Sequence, residues 1–413
     1  MSEPSQFGIV SYKKGSIIAV EGRQKAECFF IIQRGNIRVS KEAAIPGYED
    51  ETLGEGDIFG VVAAVSYKSH IQTAVATTDA ILITVGPGSY GELIRNNGQV
   101  AMNILVQLSS KLRAISEALT ANEGKGAGNS MSREERFSRM FEIGEYYFVR
   151  RKHLRANCVY TKYLRHWPDG PSSPAVKNRL EKMAGNTEWV GTDYGAGDVH
   201  RTYRKDEMIS VEGEPGEEFF ILQSGSVEVV KIVEGKEVLL AVLKPGDIFG
   251  EMALLNDEPR NACTVAAEPC LVMAVNRASF MHLTMEQPHM VYKITSIIAN
   301  RLWFSARRLE NNNIKEPLGR VYGILLIHLE RDNIPLDSRN EYLFPVGWDE
   351  ITLMLGFSEK EGFIRMGELQ QKDKNVHVKD GKIKVESVQE LVKAAEHYRR
   401  FSVGNEKTGA ALE

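Results

Sequence analysis

Phe249-Gly250-Glu251-Met252-Ala253-Leu254-Leu255-Asn256-Asp257-Glu258-Pro259-Arg260-Asn261 sets an acid nine positions before a guanidinium, around what reads as one short helical turn. An arginine holds a phosphate through two parallel charged hydrogen bonds. Free backbone N–H groups at a helix start favour the same anion. A carboxylate just before that start is a poor phosphate partner but a good acceptor for a sugar hydroxyl. The arrangement points to a pocket for a phosphate joined to a ribose.

The residues leading into this stretch occur twice. Gly246-Asp247-Ile248-Phe249-Gly250 repeats Gly56-Asp57-Ile58-Phe59-Gly60. Phe219-Phe220-Ile221-Leu222 repeats Phe29-Phe30-Ile31-Ile32, and Val211-Glu212-Gly213 repeats Val20-Glu21-Gly22. The offset is 190 or 191 throughout, too long for a solenoid, so a whole domain is duplicated. Each copy is a series of short β-branched and aromatic runs broken by Gly, Pro and Asp, which reads as an antiparallel roll or sandwich. Each copy then ends in a helix. Leu105, Leu108, Leu112, Ile115 and Leu119 form an apolar seam at 3/4 spacing in the first. Val291, Ile294 and Ile298 start the same seam in the second, and Arg301 and Ser305 make it polar further on.

Between the copies, 122–130 reads as a flexible linker, followed by helices over roughly 132–186 and a Gly-rich stretch at 191–197. After the 287–313 helix comes an α-rich tail with one β-like piece, Val376-His377-Val378 to Ile383-Lys384-Val385, turned by Asp380-Gly381.

The whole chain, 413 residues with 43% hydrophobic and 26% charged content, has the composition of a soluble globular protein of two to four domains. A net charge of −4 gives no general pull toward nucleic acid or an anionic membrane. There is no run of about 18 apolar residues and no basic-then-apolar N-terminus, so neither a transmembrane helix nor a secretory signal is expected. Cys28, Cys158, Cys263 and Cys270 form no CxxC pair, and reduced thiols in a cytoplasmic protein are expected. No nucleophile–base pair, paired acids or metal cluster argues for an enzyme.

With these residues in view, the second copy resembles the cyclic-nucleotide-binding domain of the cyclic-AMP receptor protein family and of the kinase regulatory subunits. The resemblance rests on Phe249 to Leu255 and Pro259-Arg260-Asn261-Ala262 and covers about 200–310. It implies an α+β chain: two β-roll (jelly-roll) cyclic-nucleotide-binding domains, a helical insert and a C-terminal winged helix-turn-helix. The expected segments are 1–121, 132–186, 198–313 and 316–403. By residue, it implies that Glu251 accepts the ribose 2′-hydroxyl and Arg260 holds the cyclic phosphate. Gly250 and the amides near Met252 and Ala253 complete the phosphate site, and Asn261 is also in reach of it. Arg301 and Ser305 stand where the family's base contacts lie. Cyclic AMP is the implied ligand, with cyclic GMP as the alternative, and no other cofactor is implied. The plain alternative is a structural Glu251–Arg260 ion pair.

The first copy has the shape without the chemistry, since Val61 replaces Glu251 and His70 replaces Arg260. A neutral His70 binds an anion only after protonation. The domain reads as a ligand-free copy kept for packing. In the family the helices after the rolls pair two subunits. Here they pair either with each other, as an intramolecular pseudo-dimer, or across a homodimer.

The segment after the linker resembles one tetratricopeptide repeat, through Met140, Ile143-Gly144, Tyr147, Ala156, Tyr160, Tyr163 and Pro168. One repeat does not bury its own faces, so it is expected to pack on a neighbouring domain or dock a protein partner. Arg150, Arg151, Lys152 and Arg155 read as a solvated basic face. The tail resembles the family's winged helix-turn-helix through Glu350-Ile351, Leu355-Gly356-Phe357-Ser358 and Leu369. Where relatives carry the base-reading Arg, Glu and Arg, it has Glu359, Lys360 and Ile364, and Gly362 stands at an apolar core position. Residues 316–390 hold 10 Lys and Arg against 14 Asp and Glu, a balance of −4 that offers little to phosphates or guanines. The outputs left open are DNA binding and a protein partner.

Overall fold

The computed structural model describes residues 7–23, 25–42, 45–96, 98–120, 132–184, 194, 197–280 and 288–407. The linker expected at 122–130 and most of 191–197 lie outside them. The chain forms two compact units, Met1–Leu93 with Ile298–Glu413, and Ile94–Ile297. These regroup the expected segments. The helix that follows the first roll belongs to the second unit, and the later part of the helix that follows the second roll belongs to the first.

The first roll, in the first unit, is made of β1 (Phe7–Tyr12), β2 (Ile17–Ala19), β3 (Phe29–Arg34), β4 (Ile37–Ser40), β5 (Glu51–Leu53), β6 (Ile58–Phe59), β7 (Thr73–Ala76) and β8 (Ala80–Val85), with α1 (Val61–Ser66) after β6. Its two antiparallel sheets run β1-β8-β3-β6 and β2-β7-β4-β5. Period-two alternation turns Ala74 and Ala76 of β7 inward, onto Phe30, Ile32, Val39 and Leu82.

The second roll, in the second unit, repeats this with β9 (His200–Tyr203), β10 (Met208–Ser210), β11 (Glu218–Ser224), β12 (Val227–Val233), β13 (Lys236–Leu243), β14 (Ile248–Phe249), β15 (Cys263–Ala266) and β16 (Cys270–Asn276). Its sheets run β14-β11-β16-β9 and β10-β15-β12-β13. The duplication extends to register. Phe30 pairs with Phe59 and Phe220 with Phe249. Irregularities fall between Ile32 and Arg34 in one copy and between Leu222 and Ser224 in the other. Bulges this specific are built features of a strand pair rather than accidents of packing.

Also in the second unit are α3 (Gly98–Ala118), α4 (Arg133–Val149), α5 (His153–His166) and α6 (Ser173–Met183); α2 (Tyr90–Asn96) precedes them. A Ser132–Glu135 capping box starts α4. Gly144 lets α4 and α5 close, since a Cβ there would stand 2.4 Å from Cε1 of Tyr160. Met140, Ile143, Tyr147, Ala156, Tyr160 and Tyr163 are all buried. The outer face of this pair docks on the second roll through charge. Tyr147 Oη donates to Glu237 (2.6 Å), and Arg155 bridges Asp206 (2.6 Å) and Glu237 (3.2 Å). Arg155 is 7% exposed and docks on the roll, while Arg150, Arg151 and Lys152 stay exposed, so the solvated basic face the sequence indicated holds for three of the four.

The helix after the second roll, α8 (Pro288–Asn311), follows the short α7 (Glu251–Asn256) and crosses the boundary between units at Ile298. The rest of the first unit is α9 (Pro317–Arg331), β17 (Tyr342–Gly347), α10 (Trp348–Met354), α11 (Glu359–Lys372), β18 (Val376–Lys379), β19 (Lys382–Val385) and α12 (Val388–Lys407), with a sheet in the order β17-β19-β18. Asp380 and Gly381, both at positive φ, turn the β18–β19 hairpin. Gly362 sits at an apolar position because α10 passes close, leaving a Cβ only 2.5 Å from Cγ2 of Thr352. Buried Lys68 of the first roll donates to the carbonyls of Glu330 and Arg331, both at 2.8 Å, and so caps the C-terminus of α9. Lys41 likewise meets Glu21 and Glu310, both at 2.5 Å. No helix among the described residues is long and apolar enough to cross a membrane.

Candidate functional site

The site is built where β14 ends. Gly250 takes φ 78, the left-handed conformation that only glycine adopts without strain, and this turn starts α7 at Glu251. The first-turn amides, including those of Met252 and Ala253, therefore lack intrahelical acceptors. Glu251 is 2% exposed, Ala253 is buried and Met252 partly so.

Arg260 returns to the same place from the far side of the cassette. It is 7% exposed, donates from Nη1 to Gly250 O at 2.8 Å, and lies over the Phe220 ring at 5.4 Å. Two glycines make room for it. A Cβ on Gly250 would stand 2.4 Å from Nη1, and one on Gly216 would stand 2.3 Å from the Ala253 Cβ and 3.2 Å from Arg260 Nε. Arg260 Nε and Asn261 Nδ2 are buried and make no hydrogen bond among the described residues. Buried donors without acceptors are costly, and a guanidinium aimed into a pocket with an idle N–H suits an anion. Burial lowers the proton affinity of Arg260, while the carboxylates of Glu214, Glu218 and Glu251 oppose that. Asn261 accepts from Lys231 Nζ (3.4 Å), which also lies 3.5 Å from Glu212.

The structure thus brings Gly250, Glu251, Met252, Ala253 and Arg260 together, while the Asn261 side chain meets Lys231. Arg301 and Ser305 lie on the part of α8 that belongs to the other unit. The sequence reading missed Arg113 of α3, which donates to Pro259 O (2.7 Å) and pairs with Glu258 (2.6 Å). It also missed Lys162 and Glu214, paired at 2.9 Å and lining one cavity of about 750 Å³ with His166, Gly216, Phe220 and Arg260. The repeat held one signal: Gly213 is followed by Glu214, but Gly22 is followed by Arg23.

The first roll keeps the backbone of this site. Gly60 takes φ 81 before α1, and Gly22 N donates to His70 O (2.9 Å) as Gly213 N does to Arg260 O (2.9 Å). Its chemistry is absent. Val61 is buried, and burial pushes the His70 imidazole below its ordinary pKa, further from a charged anion ligand.

Residues 9–97 and 200–287 both match the cyclic nucleotide-binding domain family. A cyclic AMP receptor protein of Thermus thermophilus is 28% identical over 172 residues, covering 40% of this chain and 80% of that protein. A cAMP-dependent protein kinase regulatory subunit of Debaryomyces hansenii is 44% identical over 81 residues, 20% of this chain and only 17% of its own. A solved CRP-family transcriptional regulator, also of Thermus thermophilus, aligns with 18% identity and a TM-score of 0.37 over 48% of this chain and 96% of its own. Two stretches of the chain thus match the cyclic nucleotide-binding domain family, and of the two the second carries both the acid and the arginine of the cassette.

Proposed function

We propose that this protein is a non-enzymatic, cytoplasmic regulator whose second roll binds cyclic AMP. The observation that carries the reading is buried Arg260, with its unused Nε–H, opposite the start of α7 and next to buried Glu251. In this reading Arg260 and the amides of Met252 and Ala253 hold the phosphate, and Glu251 accepts a ribose hydroxyl. Asn261 flanks the phosphate, and Arg301 and Ser305 of α8 are the base contacts that the resemblance implies. The names of the similar proteins, a cyclic AMP receptor and a cAMP-dependent kinase subunit, support the choice of ligand. The position of α3 against the second cassette favours the pseudo-dimer within one chain over a homodimer.

Ligand binding biases whichever state closes the site, and the C-terminal segment, read as a winged helix, carries the output. That output is transcriptional in the first reading. A second reading, a protein-binding adaptor, is favoured by α11. Its exposed face carries Glu359, Lys360 and Glu361 with Phe363 at 72% and Ile364 at 40% exposure, a poor surface for DNA phosphates. The helices α4 to α6 are the other candidate surface for a partner.

Titration calorimetry with cyclic AMP and cyclic GMP tests the input. Wild type binds one of them and Arg260→Ala does not; unchanged affinity in the variant removes the site assignment. Mobility shift of genomic fragments at low salt, with and without ligand, separates the outputs. Absence of any shift rejects the transcriptional one.

A further inference from the structure

Glu214 is a buried carboxylate with no part in the nucleotide site as read so far. It follows Gly213, whose φ of 89 turns the chain into the loop before β11. Its backbone and side chain face different partners. Glu214 O accepts from Arg260 N (2.8 Å) while Gly213 N donates to Arg260 O (2.9 Å), so this turn holds the main chain of the arginine on both sides. The carboxylate accepts from Val211 N (2.9 Å) and from Lys162 Nζ (2.9 Å), with His166 Nε2 at 3.7 Å. Lys162 and His166 are one turn apart on α5 and present the same face.

A buried carboxylate this near a phosphate-binding arginine matters to any anionic ligand. Left to itself, it would draw the guanidinium and repel the phosphate, and in a low-dielectric pocket both effects are large. Lys162 gives that charge another partner. Burial would raise the Glu214 carboxyl, but Lys162, His166 and Arg260 outweigh it and hold the group ionised, down at about 2. The first roll adds a separate observation: it has no arginine at the cassette position, and at the position of Glu214 it has Arg23. Acid and cassette arginine are absent from the same copy.

We propose that Lys162, from the helical segment between the two rolls, is a positioning residue for the nucleotide site: it holds the Glu214 carboxylate against α5, so that this charge does not compete with phosphate for the Arg260 guanidinium. The proposal rests on the cyclic nucleotide reading of the second roll. It makes α5 part of the affinity apparatus, and packing of α5 on the roll and ligand binding then influence each other reciprocally.

The test is calorimetry of the full chain with cyclic AMP and cyclic GMP, alongside circular dichroism and thermal unfolding of each variant. Lys162→Met weakens binding by about 10-fold or more, a usual size for coupled sites. Lys162→Arg stays close to wild type. Glu214→Gln alone binds as well as wild type or better, and Lys162→Met with Glu214→Gln recovers to within about threefold of wild type, the mark of a direct coupling. Wild-type affinity in a folded Lys162→Met variant overturns the proposal. So does a double variant as weak as Lys162→Met, because lost packing alone would not be rescued. If Lys162→Met does not fold, loss of binding in a folded Glu214→Gln variant overturns it instead. Failure of the wild type to bind either nucleotide is a different result and removes the cyclic nucleotide reading itself.

Discussion

Gly250 O accepts a hydrogen bond from Arg260 Nη1 at 2.8 Å, and a Cβ on Gly250 would stand 2.4 Å from that same nitrogen. The glycine therefore serves twice, for its φ of 78 and for the space it leaves. Gly250→Ala forces a left-handed alanine, costing about 1–2 kcal/mol, and also displaces the guanidinium. The expected outcome is a variant that unfolds at lower denaturant and shows no calorimetric response to cyclic nucleotide.

His70 occupies the arginine's position in the first roll, and burial pushes its imidazole below the ordinary pKa. His70→Ala should leave nucleotide affinity within about twofold of wild type, a difference well under 1 kcal/mol. A larger loss in calorimetry would give the first roll a part in binding.

Glu214 makes stability depend on acid. Its carboxyl is held at about 2 against an ordinary 4.5, burial being outweighed by Lys162, His166 and Arg260. A depressed carboxyl adds stability above the unfolded value, so this contribution is full above pH 4.5 and is lost as pH falls toward 2. By linkage it is on the order of 3 kcal/mol. Urea unfolding should show Glu214→Gln less stable than wild type at about pH 6, with the gap narrowing below about pH 4.5 and closing toward about pH 2. A constant gap across that range would mean the ion pair is not the source.

Gly362 faces Thr352 across α10 and α11, and a Cβ on it would stand only 2.5 Å from Cγ2 of Thr352. Gly362→Val overfills this crossing and should destabilise the protein by about 1–3 kcal/mol, read as a lower thermal midpoint.

Lys68 closes the end of α9 by donating to two carbonyls and to Asn333 Oδ1 at 2.8 Å. Lys68→Met leaves these partly buried acceptors to solvent, at a cost of about 1 kcal/mol, measurable by chemical unfolding.

The sequence was most legible where function and backbone geometry demand the same residue. Gly250, Glu251 and Arg260 stand out because a positive φ, a buried acid and a buried cation leave few substitutes; the repeat located the two rolls, and the Asp-Gly pair marked the hairpin turn at 380–381. Long-range charge pairing was illegible. Arg155 and Lys162 looked like solvent-facing lysines and arginines of a helix, and nothing local marks Asp206 or Glu214, about 50 residues away, as their partners. The regrouping of α3 and the later part of α8 was hidden for the same reason. An apolar seam records that a helix is buried, not which roll buries it.

The two rolls share bulges, registers and the Gly22–His70 and Gly213–Arg260 backbone pairings, yet differ in charge at the cassette. The chain thus holds its own blank: a scaffold of the same strand order with the cassette charges removed. Stoichiometry becomes diagnostic, with one nucleotide per chain marking the second roll alone and two marking chemistry in the first that its side chains do not supply.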